Sequence, residues 1–418
     1  MHDTVEDTDT TINDIRKTFG KDVAILVESV TKLESVRIKK GWFPFQKIDE
    51  KKLPEFERQA ETLRKMLVAM SKDIRVVLIK LADKIHNTET LKYLPQEKQE
   101  RIAKEVIEIY SPIAQRLGMG RWKGMLEDMS FPYILPAEYK QLQKMAIPQI
   151  KEREKYLKIL VKKIKTLLDK NNVKSTIDFR AKRWYSLYRK LIKYEGDLSK
   201  VYDLIAVRIV VDNVEDCYSA LGLIHGSWRP LVGRIKDYIA LPKPNGYQSI
   251  HTTIFADEGR IVEIQIRTKE MNYQAEYGVA AHWVYSNTKM SHLANKDEFK
   301  WIKEFYQIQK YLNSPDELEK SFKLDLFKDR IFVFTPQGDV MDLPNGATTI
   351  DFAYSVHTAV GNKCAGAKVN NKMVSIDTRL QNGDIVEILT KKNASPHRDW
   401  LEFAKTQIAR SQIKKNVK

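Results

Sequence analysis

The stretch Val262-Glu263-Ile264-Gln265-Ile266-Arg267 alternates apolar and polar residues without a break, and this constrains the fold more than any other feature of the chain. A period of two marks a strand with one buried face, here Val262, Ile264 and Ile266. Glu263, Gln265 and Arg267 then stand in a row on the other face. A second strand-like run, "LIAVRIVV", begins immediately after Asp203. Asp203 and Glu263 are therefore expected on neighbouring elements of one sheet, where paired carboxylates can divide the holding of a divalent metal from the acceptance of a proton. Solvent exposure alone would explain the polar row, so its surroundings must decide.

Those surroundings are cationic. Arg180, Lys182, Arg189, Lys190, Arg208, Arg234, Lys236, Lys243 and Arg267 crowd the same segment. Guanidinium and ammonium groups neutralise the charge carried by phosphoryl oxygens, so the cluster fits a polyphosphate. No G-x-x-x-x-G-K-[ST] loop occurs, which excludes a P-loop site and leaves side chains to hold the phosphates. The stretch "RIKDYIALPKPNGYQSIHT" adds a turn, Pro242-Lys243-Pro244-Asn245-Gly246, that delivers Tyr247, Gln248 and His251. An ordinary Asn-Gly hairpin with Tyr247 packed across strands is one reading; a ring positioned to stack on a base is the other.

Around this α+β region, residues 175–285, the pattern is helical. Residues 1–130 repeat apolar positions every three or four, as in "INDIRKTFGKDVAILVESVTKL" and "RVVLIKLADKIHNTETLKYL", and "RIAKEVIEIYSPIAQRLG" stops at a glycine. Residues 37–57, broken by Gly41, Pro44 and Pro54, read as a surface loop. Residues 131–174 form a lysine-rich amphipathic linker and 286–327 a helical connector. Residues 328–391 make a short β-rich module, with a hairpin about Pro336-Gln337-Gly338-Asp339 and a helix in "TTIDFAYSVH". Residues 392–418 read as the start of a further helical region. The 418-residue chain is thus multidomain α+β.

The net charge of +16 favours polyanionic partners. No run of eighteen apolar residues is present to span a bilayer, so no membrane association is expected. Cys217 and Cys364 lie far apart with no C-x-x-C spacing, which makes a reducing cytoplasm the default. The second and third residues, His2 and Asp3, followed by Glu6 and Asp7, form the kind of pair that transition metals favour; a polar helix start is the plain alternative.

The stretches "RAKRWYSLYRKL", "VYDLIAVRIVV", "GRIKDYIALPKPNGYQSIHT" and "EIQIRTKEMNYQAEYGVAAHW" closely resemble the synthetase domain of the RelA/SpoT homologues, which make the alarmone (p)ppGpp. "HDTVEDTD" with "LIKLADKIHN" resembles the family's HD-type hydrolase domain, and "FVFTPQGDV" through "GDIVEILT" its TGS domain. The resemblance implies an all-helical HD-type domain that is partial here, a mixed-sheet nucleotidyltransferase-like synthetase domain and a ubiquitin-like β-grasp TGS domain.

It also implies transfer of pyrophosphate from ATP to the ribose 3′-hydroxyl of GDP or GTP. Arg180, Lys182, Ser186, Lys190 and Arg208 then stand at the ATP positions, with Arg180 able to stack on adenine. Asp203 and Glu263 stand at the Mg²⁺ positions, Glu263 also as general base. Arg234, Lys236, Lys243, Asn245, Tyr247, Gln248, His251 and Gln265 stand at the acceptor positions, Tyr247 as the ring on guanine. The R-x-K-D form of Arg234-Ile235-Lys236-Asp237 is the one associated with bifunctional members and with GDP as acceptor. In the TGS region the resemblance implies contact with uncharged tRNA on the ribosome, through His357; without it, that histidine reads as a helix cap. In the HD region His2, Asp3 and Asp83 match three Mn²⁺ ligands, Glu6 and Asp7 the water-activating acids, and Asn87 the following asparagine. The family's upstream histidine has no counterpart in the sequence, and a regulatory half beyond Lys418 has none either. The sequence therefore predicts a chain, truncated at both ends, that makes the alarmone and does not efficiently destroy it.

Overall fold

The computed structural model describes residues 2–35, 62, 66, 69, 73–243, 245–281 and 330–417. The loop expected at 37–57, the connector at 286–327 and Pro244 of the acceptor turn lie outside the described residues. The chain divides into two compact units, Val77–Glu298 and Met1–Val76 with Phe299–Lys418.

Three helices open the chain: α1 (His2–Asp7), α2 (Ile12–Phe19) and α3 (Lys21–Ser35). The stretch "INDIRKTFGKDVAILVESVTKL", read as helical, forms two helices divided at Gly20, whose φ of 88° ends α2. A capping box between Thr11 and Asp14 starts α2, and Ile15, Ala24 and Val27 bury one face.

Next come α4 (Ile74–Glu89) and α5 (Gln96–Glu105), then a π-helical turn, Val106–Tyr110, that passes directly into α6 (Ser111–Arg116). Pro112 lies in the first turn of α6 and has no amide hydrogen to donate. After Gly118 (φ 71°) follow α7 (Gly120–Ile134) and the 35-residue α8 (Pro136–Lys170). The N-terminal half of α8 buries Leu142 and Ala146 beside Phe131, Leu187 and Leu191. Its C-terminal half lays Leu157, Leu160, Ile164 and Leu168 on the central sheet. At about 2 kcal/mol for each buried side chain, that stripe fixes α8 as the brace beneath the site.

The sheet is mixed. It consists of β1 (Ser175–Ala181), β2 (Ile205–Val211), β3 (Lys236–Asp237), β4 (Ile250–Phe255) and β5 (Ile261–Thr268) in the order β1-β2-β5-β4-β3. β2 and β5 are parallel and every other pair is antiparallel. Helix α9 (Trp184–Lys193) follows β1, α10 (Val214–Ser227) follows β2 and α11 (Lys269–Tyr277) follows β5. The alternation read from the sequence appears as burial: Val207, Ile209, Ile264 and Ile266 are wholly buried under α8 and α10. The register then sets His251 beside Gln265, Gln265 beside Arg208 and Arg208 beside Asp178 across four strands on the opposite face.

The C-terminal region pairs β6 (Arg330–Phe334) with β7 (Val340–Pro344) about a loop in which Gly338 has φ 91°, as the expected hairpin requires. Helices α12 (Thr349–Val356) and α13 (Thr358–Asn362) precede a sheet of β8 (Cys364–Val369), β9 (Lys372–Val374) and β10 (Val386–Thr390), ordered β10-β8-β9. Then follow α14 (Trp400–Phe403) and α15 (Gln407–Asn416). Trp400, Ala404, Ala409 and Ile413 pack with Ile350, Ala353 and Tyr354 of α12. Asp351, wholly buried, ties this together: its carboxylate accepts from Thr348, and from the backbone amides of Lys405 and Thr406. Cys217 and Cys364 are buried thiols, Cys217 pushed up to about 12 chiefly by burial, so neither is a poised nucleophile.

Candidate active site

The polar face of the sheet carries two chemically different halves. On the β1–β2 side, Asp203, just ahead of β2, accepts from Lys182 and Lys190 on the same oxygen, each at 2.5 Å. Burial alone would push this carboxyl up, but the two ammonium groups bring it below its ordinary value. Burial lowers Lys182 in turn, with Asp203 opposing. The other oxygen of Asp203, Oδ1, is buried without a hydrogen-bond partner. A buried carboxylate oxygen left unpaired is costly, and a hard divalent cation is the partner it suits.

Beside it, Arg208 makes three hydrogen bonds to two acids. Nε and Nη2 donate to Asp178 at 2.8 and 2.6 Å, and Nη1 donates to Glu276 at 3.2 Å. Arg180 Nη1 donates to the same Glu276 oxygen at 3.0 Å. Both guanidiniums also present flat faces on which a planar ring can stack. Ser186 lies in the first turn of α9, whose start is fixed from α7: Asp128 accepts from the Tyr185 amide at 3.1 Å and pairs with Arg183 at 3.5 Å.

On the β4–β5 side the groups are mostly neutral. Tyr247 Oη and His251 Nε2 are hydrogen-bonded at 2.8 Å, and Tyr238 meets both rings edge-on. Burial first, then Lys243, Arg267 and Lys236, hold His251 at about 3. The imidazole is therefore neutral, and its 3.6 Å approach to Glu263 is neither an ion pair nor a hydrogen bond. Glu263 instead accepts from Gln265 Nε2 at 3.0 Å. The Lys243 ammonium lies 4.6 Å from the Tyr238 ring centre and 5.2 Å from that of Tyr247. Gly246 (φ 74°) closes the turn, with its amide donating to Lys243 at 2.8 Å. Asn245 donates to the Gln115 carbonyl and Gln248 to that of Ile239.

The expected residues divide by place. Arg180, Lys182, Lys190, Asp203 and Arg208 are brought together, as are Lys243, Tyr247, His251, Glu263 and Gln265. Arg234 lies 5.7 Å over the ring of Tyr202, the residue before Asp203, and Lys236 is exposed on the edge strand opposite His251. In the helical region Asp83 is held on both oxygens, by Lys80 at 2.9 Å and by Asn87 Nδ2 at 3.1 Å. His2, Asp3, Glu6 and Asp7 lie in α1, with the last three exposed. Among the described residues no group of three or more His, Cys, Asp or Glu is gathered to hold a metal. His357 caps α13, accepting the Ala359 amide on Nδ1 at 3.1 Å, and is exposed.

Arg267, expected in the polar row and the cation cluster, is instead buried, with burial lowering it and its Nε without a hydrogen-bond partner. Two residues escaped the sequence reading as site members. Asp178 precedes Arg180 by two in β1, a same-face spacing that could have revealed it. Glu276 lies in α11, and nothing local signals its partners.

Comparison with known proteins places the chain. The profile described as "Region found in RelA / SpoT proteins" matches residues 179–290, an HD domain profile matches 1–120 and a TGS domain profile 331–390. A GTP pyrophosphokinase of Myxococcus xanthus is 44% identical across 100% of this chain and 54% of its own. A guanosine-3′,5′-bis(diphosphate) 3′-pyrophosphohydrolase of Aquifex aeolicus is 42% identical over 100% of this chain and 58% of its own. A bifunctional (p)ppGpp synthase/hydrolase of Mycobacterium tuberculosis is 40% identical over 99% and 55%. The chain thus spans little more than half the length of these relatives. It belongs to the RelA/SpoT family, with an HD-type helical region, a mixed-sheet region of the kind found in RelA and SpoT proteins and a TGS region. Among the described residues no helix is long and apolar enough to cross a membrane.

Proposed function

We propose that this chain transfers pyrophosphate from ATP to the 3′-hydroxyl of GDP or GTP, giving AMP and (p)ppGpp in the cytoplasm. The observation that carries this reading is the two-sided polar face, with cations paired to carboxylates on one half, an aromatic pocket around an uncharged imidazole on the other, and Asp203 and Glu263 as the carboxylates of the site. Arg180, Lys182, Ser186, Lys190 and Arg208 hold ATP, with adenine against guanidinium faces and phosphates on the lysines. Tyr247 stacks on guanine while Lys243, Asn245, Gln248, His251, Gln265, Arg234 and Lys236 surround the acceptor. Glu263 takes the proton of the 3′-hydroxyl, that oxygen attacks the β-phosphorus of ATP, and the bond to the bridging oxygen breaks with its electron pair leaving on AMP.

The residues fit Mg²⁺: Asp203 Oδ1 is an orphaned acceptor, and Mg²⁺ is commonly held by one or two carboxylates with substrate phosphates. When bound it neutralises charge on the transferring phosphates. Purified protein with labelled ATP, GDP and Mg²⁺ is expected to yield labelled ppGpp; absence of product would overturn the reading.

The HD region supports a second reading, Mn²⁺-dependent hydrolysis of (p)ppGpp, favoured by the oriented carboxylate of Asp83 and by the relative named a pyrophosphohydrolase. Release of pyrophosphate from ppGpp with Mn²⁺ tests it. The TGS region supports binding of ribosome and uncharged tRNA, with His357 at the contact. Salt-sensitive tRNA binding that disappears on removing residues 328–418 is the expected result.

A further inference from the structure

We infer that Glu276 is a positioning residue for the donor nucleotide, one carboxylate that holds Arg180 and Arg208 as a pair. The inference rests on the synthetase reading and adds to it a residue outside the sheet.

Arg180 and Arg208 are diagonal neighbours on β1 and β2: Arg180 stands opposite Ala206, and Arg208 opposite Asp178. Two guanidiniums on one face of adjacent strands repel, and each depresses the other's hold on its proton unless an anion lies between them. Glu276 Oε1 is that anion, 3.0 Å from one and 3.2 Å from the other. Asp178 orients Arg208 from the opposite side through two further bonds. Among the described residues, Glu276 is the carboxylate that accepts a hydrogen bond from Arg180. Glu276 is partly buried, with 19% of its side chain exposed, and its contact with Arg208, itself 18% exposed, is the better shielded of the two.

The position of Glu276 is itself fixed on both sides. Gly278 (φ 53°) ends α11 so close to the preceding helical turn that a Cβ there would stand 2.1 Å from the Leu117 carbonyl oxygen. Val279 donates to that same carbonyl at 3.0 Å. Arg121 Nη1 donates to Tyr277 Oη at 3.0 Å, and a Cβ on Gly120 would meet the Ala275 carbonyl at 2.5 Å. Residues 275, 277 and 278 are thereby locked onto the 117–121 turn, and the carboxylate between them has little freedom.

The test is Glu276→Gln, with ATP and GDP titrated separately in Mg²⁺ and kinetics measured for each substrate. Loss of a charged acceptor shared by two arginines is expected to weaken ATP binding and raise its KM about tenfold. KM for GDP should stay within about twofold and kcat within about threefold, since the acceptor half and Glu263 are untouched. Glu276→Asp, which keeps the charge on a shorter arm, should fall between. Unchanged or tighter ATP binding in Glu276→Gln would overturn the inference, as would equal losses for ATP and GDP. Wild-type protein that binds no ATP would overturn the synthetase reading and this inference together.

Discussion

The donor and acceptor halves of one sheet face solve opposite electrostatic problems. The donor half gathers Arg180, Lys182, Lys190 and Arg208 and offsets them with Asp178, Asp203 and Glu276, so that nearly every charge has a counter-charge. The acceptor half holds a half-buried Tyr247 and a neutral His251 and leaves Glu263 to a neutral amide, Gln265. Ion pairs can hold a polyphosphate by exchanging one anion for another. A general base is better served by neighbours that do not neutralise it. On the proposed function, the difference lets two anionic nucleotides meet on one surface without sharing the same cations.

The largest break in this comparison is expected from Asp203→Asn. It leaves Lys182 and Lys190 with no counter-charge in a partly buried place, and loss of one partner from a buried pair costs about 3 kcal/mol. Chemical denaturation should show that loss, and synthesis should fall about a thousandfold as the metal-site carboxylate goes. His251→Gln acts on the other half only. Acceptor kcat/KM should fall about 10- to 100-fold while ATP affinity is unchanged; a matching loss in ATP affinity would show that the halves are not separate.

His251 also predicts a pH dependence. Its folded value of about 3 lies below the ordinary 6.5, so the unfolded chain takes up a proton that the folded chain refuses. The stability this group supports is present above pH 6.5 and is lost as pH falls toward 3, by up to about 1.4 kcal/mol per pH unit. Denaturation midpoints measured across that window should show a shallower slope in His251→Gln than in wild type. The smallest effect is expected from Lys243→Met, which removes an ammonium from above two rings. It should change acceptor KM about three- to fivefold, the size of an exposed cation–π contact.

How much of this was legible in the sequence follows from the range of the forces. Alternation in residues 262–267 fixed which side chains face the core, and the structure buries Val262, Ile264 and Ile266 as that period demands. The lysine-rich stripe from 137 onward became α8 for the same reason. The helical reading of the stretch around Gly20 holds, while the break there is set by its backbone, which side-chain periodicity does not report. His357 could be read as a cap, and it is one. Glu276 was invisible, because its meaning depends on two strands separated from it by 96 and 68 residues. The neutrality of His251 was equally hidden, since it comes from burial and from Lys243, Arg267 and Lys236 converging in space.

The central claim is that Glu263 acts between two occupied halves, and Glu263→Gln tests it most directly. Labelled ppGpp formation from ATP and GDP should fall at least about a thousandfold, while the affinities for ATP and GDP measured by calorimetry stay within about twofold of wild type. A Glu263→Gln protein that makes ppGpp at the wild-type rate would contradict the account.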